Sequence, residues 1–414
     1  MMIRPMTGDR ATWLTLRRLR LHALLLATTL WVLYVWTLAT PGLRDRNGNL
    51  KGTDFLHFYT LGSLALSHDG AHLYDINAQA QVASGRVAAA SGIRYLPLYP
   101  PPVSLLFAPL ARLRYAWALT IWWMVSAALY GTCCFCIWRT CPSLHGYPGM
   151  TLLLAVAFPP FFHLIAWGQT SALAVACFVL MFLALRKRRD FFAGLALGCL
   201  IFKPQLGLAA AVVFLSIGAW RIVAGAVLAA AAELWLGTLY YGTQPLQEWL
   251  GGISHADSVM SLLEPKPYQT HCLRTFWSML LPWPGVVSAF YVLSAVIVLA
   301  VAISLWRGQT ELPMSFSALL LATVLISPHL TVYDLVILAP AILLISDWLI
   351  ARSDIRLTRS IGTALYMVYV FPLLAVVTRW THFQLSVVAM AALLWMISKA
   401  APHSARVGPA LAHH

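Results

Sequence analysis

The run LHALLLATTLWVLYVWTLAT, residues 21–40, decides the class of this chain. It holds no Asp, Glu, Lys or Arg, and a helix of about 20 apolar residues is long enough to cross the hydrocarbon core of a bilayer. It is too long for a signal-peptide core and lacks a small-residue cleavage site, so it reads as a retained span. Arg4, Arg10, Arg17, Arg18 and Arg20 precede it, which places the N-terminus in the cytoplasm by the positive-inside rule. Apolar runs of about 15–22 residues recur through the rest of the chain. Of its 414 residues, 60% are hydrophobic and only 10% charged, against about a quarter charged in a soluble domain. The period-two alternation of a β-barrel is missing. The expectation is an all-α polytopic membrane protein, one integral membrane domain over 1–414. About 10–13 transmembrane helices cross the bilayer, with amphipathic helices in the outer loops.

Working outward from the first span, residues 41–112 form a first large outer loop. Further spans follow near 115–138, 150–166 and 171–185. Residues 191–219 are an apolar run broken by Phe202-Lys203-Pro204-Gln205. One span with a lysine at its centre is costly, so two short helices forming a V with Lys203 at the outer turn are expected. Gly194 and Gly198 in its first arm have the spacing of close helix packing. A span near 222–241 leads into a second large outer loop, 242–285, with an amphipathic helix near 245–263. Spans near 286–306, 312–327, 331–349, 357–378 and 382–399 complete the bundle and return the C-terminus to the cytoplasm.

Charge agrees with this topology. Seventeen of the 28 Lys/Arg fall on the cytoplasmic side, the densest group being Arg186-Lys187-Arg188-Arg189. The formal net charge of +14 thus reflects membrane orientation and is no sign of nucleic-acid binding. Neither a Walker loop nor a dinucleotide fingerprint occurs, nor a soluble domain that could hold a nucleotide sugar. The cluster Cys133-Cys134-Phe135-Cys136 has no histidine or carboxylate at ligand spacing and reads as buried packing, so no metal and no other cofactor is expected.

Within the first large loop, Gly52-Thr53-Asp54-Phe55-Leu56-His57-Phe58-Tyr59 stands about a dozen residues after the first span. Asp54, His57 and Phe58 are three and four residues apart and share one helix face. A carboxylate heading an aromatic helix at the membrane edge suits a polar substrate met at the lipid surface. Its bland alternative is a helix cap by Thr53 or Asp54. Asp75, in Leu73-Tyr74-Asp75, reads as such a cap. Other costly polar residues gather on the same side: Gln169 after Gly168, Lys203, and His329 with Asp334 in Ser327-Pro328-His329-Leu330-Thr331-Val332-Tyr333-Asp334. Polar groups at a break between spans mark either a satisfied turn or a cavity.

The order Asp54-Phe55-x-x-Phe58-Tyr59, Leu73-Tyr74-Asp75, Tyr99-Pro100-Pro101, Ala108-Pro109-Leu110, Gly168-Gln169, Lys203-Pro204 and Ser327-Pro328-His329 to Tyr333-Asp334 resembles glycosyltransferase family 87. The resemblance runs over about residues 50–345. It implies a GT-C-like membrane transferase that takes a single sugar from a polyprenyl-phosphate donor, in the manner of polyprenol-phosphate-mannose-dependent mannosyltransferases. It further implies inversion, an active site on the outer face of the cell membrane, and an aspartate of the first outer loop as base. Asp54 occupies that position. His57 stands at a variable position of the motif, and the resemblance carries no role onto it.

The residues suit that chemistry independently. A sugar hydroxyl is a poor nucleophile, and a carboxylate can take its proton as it attacks C1. The leaving lipid phosphate needs cations or donors. Lys203 and His329 are the candidates, with Gln169 as a donor; His57, Tyr59, Tyr99 and Asp334 complete the candidate substrate-binding set. Donor and acceptor would be a polyprenyl-phosphate sugar and a membrane lipid or glycan. A lipid-linked glycan ligase and a flippase of polyprenyl-linked sugars are the alternatives. A transporter usually carries repeated halves, and no internal repeat is visible.

Overall fold

The computed structural model describes residues 15–404 except 255–263, 265, 309 and 353. The described residues are mainly helical and form no strand; two isolated β-bridges, Arg44–Leu50 and Thr270–Thr331, occur, and the longest irregular stretches are 39–54 and 91–101. The chain is an integral membrane protein built as an all-α bundle. Six helices are long and apolar enough to span a bilayer: Leu16–Leu38, Tyr115–Trp138, Trp220–Tyr241, Pro284–Arg307, Val332–Ile350 and Ile355–Thr381. Pro148–Ala157 and Pro159–Trp167 form a seventh candidate, bent by 50°. Pro159 and Pro160 bring the break about, because neither can donate the hydrogen bond that would continue the first helix. A count of ten to thirteen passes is reached only if shorter apolar helices such as Ser171–Arg186 and Leu385–Ala400 also cross.

Burial sorts these helices. In Leu16–Leu38 only Ala23 is buried, while Leu25 and Val35 are 67% and 63% exposed, as on a helix whose sides meet lipid. Leu312–Ile326 is the opposite. Every residue from Met314 to Ile326 is buried, so this 15-residue helix is the centre of the bundle. The apolar run breaks at Lys203 as expected: helix Asp190–Gly198 and the turn Cys199–Phe202 run up to Lys203, and helix Pro204–Ser216 leaves it. Pro204 sits in the first turn of that helix, where a missing N–H costs nothing. Gly194 and Gly198 press on helix Trp220–Tyr241. A Cβ on either would meet Ile222 O or Ala226 O at 2.1 or 2.3 Å, which only glycine avoids.

The first large loop differs from a set of surface helices. Helix Phe55–Leu66 is buried from Phe55 to Ala65 on all its faces. A helix not foreseen in the sequence, Pro102–Ala111, packs against it, with Phe58 and Phe107 stacked at 4.9 Å. Pro100-Pro101-Pro102 does stop regular structure before it, yet Pro102 itself opens a helix, at the one position that tolerates it. Asp75 caps helix Ile76–Arg86, accepting from Asn77 N and Ala78 N. In the second large loop, helix Gln244–Ser254 buries only Pro245 and Trp249, as an amphipathic helix should. The rest of that expected element, 255–263, lies outside the described residues. Leu273–Leu280 follows and packs on Pro284–Arg307.

Candidate active site

Asp54 stands at the N-terminus of helix Phe55–Leu66 but caps nothing. Its own N–H donates to Trp167 O at 3.0 Å, which ties the helix start to the end of the bent span. The neighbouring hydroxyl that could cap, Thr53, donates backward to Leu50 O instead. The bland reading of this stretch therefore fails. The half-buried carboxylate turns inward and accepts one side-chain hydrogen bond, from Gln169 Nε2 to Oδ2 at 2.6 Å. Gly168 permits this approach. It takes φ +71°, and a Cβ there would lie 2.7 Å from that of Phe55.

From Gln169 the polar chain continues inward. Lys203 Nζ donates to Gln169 Oε1 at 3.4 Å, to Ser171 Oγ at 3.1 Å and to Asp334 Oδ1 at 2.7 Å. Ser171 Oγ donates to the same Asp334 oxygen, and Thr331 Oγ1 reaches the other at 3.5 Å. Lys203 is 4% exposed and Asp334 2%, so the ion pair is sealed from solvent. An ammonium has three donors and no acceptor, and all three are engaged here. It follows that Gln169 must offer Lys203 its carbonyl, which turns the amide NH₂ toward Asp54.

Electrostatics follow from the pairing. Lys203 and Asp334 largely cancel, leaving Asp54 with one neutral donor. Burial pushes its carboxyl up to about 6, against the lowering effects of the Gln169 hydrogen bond and of Lys203. Beside it, His57 is 5% exposed and stacks on Tyr95 at 4.9 Å with the rings 4° from parallel. Burial pushes this imidazole down to about 3, so it is neutral, and its Nε2 is buried without a hydrogen-bond partner. Tyr95 donates to Thr53 O, directly before Asp54. Tyr99 packs edge-on against His57 and Phe58, at 5.6 and 4.9 Å.

His329 belongs to a second group. Its Nδ1 lies 3.0 Å from Glu264 Oε1. Arg274 Nη2 is 2.5 Å from the same oxygen, and Thr275 Oγ1 donates to both oxygens at 3.2 and 3.1 Å. Burial would raise the Glu264 carboxyl, but His329 and Arg274 outweigh it and hold it below the ordinary range. Arg274 Nε also donates to Pro328 O at 2.5 Å, and His271 N to Leu330 O at 2.9 Å, so the second loop is laced onto the break at 327–331. Tyr59 lies elsewhere again. Its hydroxyl donates to Leu113 O at 2.8 Å and accepts from Arg86.

Of the residues picked from sequence, Asp54, Gln169, Lys203 and Asp334 thus form one hydrogen-bonded chain, with His57 and Tyr99 beside its Asp54 end. His329 and Tyr59 are joined to other partners. Sequence reading missed Ser171, Tyr95, Glu264 and Arg274. Ser171 was legible as part of the polar run Gln169-Thr170-Ser171 at a span end, and Glu264 as a carboxylate in an acid-poor loop; Tyr95 and Arg274 had no local signal. Among the described residues no three of His, Cys, Asp and Glu are grouped as a metal would need.

The family model of glycosyltransferase family 87 matches residues 98–328. That is more than half of the chain, and the chain belongs to this family. The match takes in Gln169, Lys203, Glu264 and Arg274 and stops short of Asp54 and Asp334 at either side. No curated protein and no solved structure matches the chain.

Proposed function

We propose that this family 87 glycosyltransferase moves a single sugar, with inversion, from a polyprenyl-phosphate donor to a lipid or glycan acceptor on the outer face of the cell membrane, with Asp54 as general base. The observation that carries the reading is the state of the Asp54 carboxylate: among the described residues it caps no helix, pairs with no cation and accepts one neutral hydrogen bond. At its raised pKa of about 6 it is ionised at pH 7 by roughly ten to one, yet it is more basic than an ordinary aspartate.

In this mechanism an acceptor hydroxyl hydrogen-bonds to the Asp54 oxygen not held by Gln169. As the hydroxyl oxygen bonds to C1 of the donor sugar, its proton passes to Asp54. The C1–O bond to phosphate breaks, and the electron pair leaves with the polyprenyl phosphate. Attack from the face opposite the leaving group inverts C1. Gln169 fixes the angle of the base, and Lys203 fixes Gln169. Lys203 and Asp334 are then positioning residues. Because the three N–H donors of Lys203 are engaged, binding of the donor phosphate falls to His329, whose Nδ1 is held by Glu264 and whose Nε2 has no partner among the described residues. The unpartnered Nε2 of His57 and the faces of Tyr95 and Tyr99 offer the sugar a hydrogen bond and stacking surfaces. A donor carried by the bilayer also explains a chain with no nucleotide-binding domain.

The test is incubation of the purified protein in lipid vesicles with labelled polyprenyl-phosphate sugars, mannose first, and membrane lipid acceptors. A new product carrying one labelled sugar of inverted configuration is expected. Movement of donor across the vesicle without product would favour transport, and transfer of a whole oligosaccharide would favour a ligase.

A further inference from the structure

We propose that a cleft at the start of the span Tyr115–Trp138, separate from the Asp54 chain, binds a phosphate group. The cleft has a volume of about 510 Å³ and is walled by Arg86, Arg112 and Arg114, with Leu43, Tyr59 and Tyr115 among its other lining residues. The fold brings the arginines together from two connections. Arg112 ends helix Pro102–Ala111, Arg114 precedes helix Tyr115–Trp138, and Arg86 ends helix Ile76–Arg86 across from them. All three are exposed.

Three guanidiniums around one cleft repel each other unless an anion lies between them. Among the described residues no carboxylate lines the cleft and none of the three arginines forms an ion pair. Arg86 is anchored: Nη2 donates to Tyr59 Oη at 3.3 Å and to Ala111 O, and its guanidinium lies 5.5 Å from the centre of the Tyr59 ring. The guanidiniums of Arg112 and Arg114 donate to no described residue, which leaves their forks for a ligand. The tyrosine hydroxyls are turned to backbone carbonyls, Tyr59 donating to Leu113 O and Tyr115 to Lys51 O and Gly52 O, the last two at 2.9 Å. A guanidinium fork matches phosphate oxygens in pairs, and aromatic rings behind it suit a site that is half apolar.

Location narrows the source of the phosphate. Trp117, one turn into the span, is 66% exposed, and Leu113 at the rim 39%, so lipid reaches the mouth of the cleft. None of Asp54, Gln169, Lys203 and Asp334 lines the cleft, so this phosphate is not the one that departs from C1. A lipid headgroup and free inorganic phosphate are the two sources of the same chemistry. The site does not depend on the role given to Asp54.

Native mass spectrometry of the detergent-solubilised full chain titrated with phosphatidylglycerol tests the site. Arg112→Gln/Arg114→Gln should weaken binding by about tenfold or more, the loss of two charge-assisted contacts. Arg112→Lys/Arg114→Lys, which keeps the charge, should weaken it less and covers the case of a Gln variant that does not fold. Competition by millimolar inorganic phosphate would make free phosphate a ligand of the site, and a lack of competition would make the lipid headgroup its source; either supports the proposal. Asp54→Asn should bind the lipid as wild type does, whatever its turnover. A folded Arg112→Gln/Arg114→Gln chain that holds phosphatidylglycerol like wild type, or Lys variants no weaker than wild type together with an unfolded Gln variant, would overturn it.

Discussion

Asp54 and Glu264 are acids from the two large loops, and each reaches partners on distant spans, yet they end in opposite states. Glu264 has Arg274, His329 and Thr275 on its oxygens and is held below the ordinary carboxylate range. Among the described residues Asp54 has Gln169 alone on its oxygens, because the nearby cation is already matched to Asp334, and burial lifts its carboxyl to about 6. The ingredients are alike; the number of uncancelled charges beside the carboxylate decides between a fixed anion and a proton acceptor. A carboxylate that laces a loop to a span break should keep its charge. One that takes a proton from a sugar hydroxyl should be poised to change it.

The strongest way to break the contrast is Asp54→Asn. It keeps the shape and removes the acceptor of the proton. Transfer should fall by the roughly 10²–10⁴-fold typical of a lost general base, while the protein folds and binds donor. Single-turnover transfer of a labelled sugar measures this. A folded variant with near-normal turnover would hand the role to another carboxylate.

Next in size is Lys203→Met, which leaves Asp334 buried without its cation. Removing one partner of a sealed pair costs about 3–5 kcal/mol, whereas removing both with apolar residues of similar volume is often close to neutral. Thermal unfolding in detergent should show a large loss for Lys203→Met and recovery in Lys203→Met/Asp334→Leu. The double variant should still turn over slowly, because Gln169 is no longer fixed. Recovery of full activity would deny Lys203 its positioning role.

The pH profile sharpens the comparison further. A base with a pKa of about 6 makes kcat/KM rise with pH up to about 6 and level off above it, falling about tenfold per unit below. Gln169→Leu removes a hydrogen bond that favours the ionised form and should move this limb to higher pH. The stability signs are opposite for the two acids. A raised carboxyl binds its proton more tightly when folded, so ionising Asp54 lowers stability as pH rises from about 4 towards 6. A depressed one does the reverse: the contribution of Glu264 is present above about 4.3 and is lost as pH falls through its folded pKa.

The smallest effect is expected for Glu264→Gln. The amide keeps one contact to Thr275 and loses the charge that holds Arg274 and His329. Turnover should drop by a few-fold through KM, with the acid limb of the pH profile unmoved. A shift of that limb would show that Glu264, not Asp54, is the titrating group.

Much of this molecule was legible before any coordinates. Composition and the length of runs such as 21–40 require an all-α membrane bundle, because in lipid a backbone must satisfy its own hydrogen bonds. The helix break at Lys203 was legible for a similar reason: a charge at mid-span is costly, and Pro204 cannot continue a helix. Asp75 as a cap was readable, since capping depends on residues two and three positions away. What local pattern could not decide was which partner each polar group meets. Helix Phe55–Leu66 is buried on every side because Pro102–Ala111 folds over it while Ile76–Arg86 and Tyr115–Trp138 pack beside it, and a proline triplet hides the first of these. Whether Lys203 offers its charge to a ligand or spends it on Asp334, 131 residues away, is a matter of where two span breaks meet. Chain distance carries no record of such contacts. The identities of Asp54, Gln169, Lys203 and Asp334 were in the sequence. Their states belong to the tertiary structure, because a charge is set by its neighbours in space.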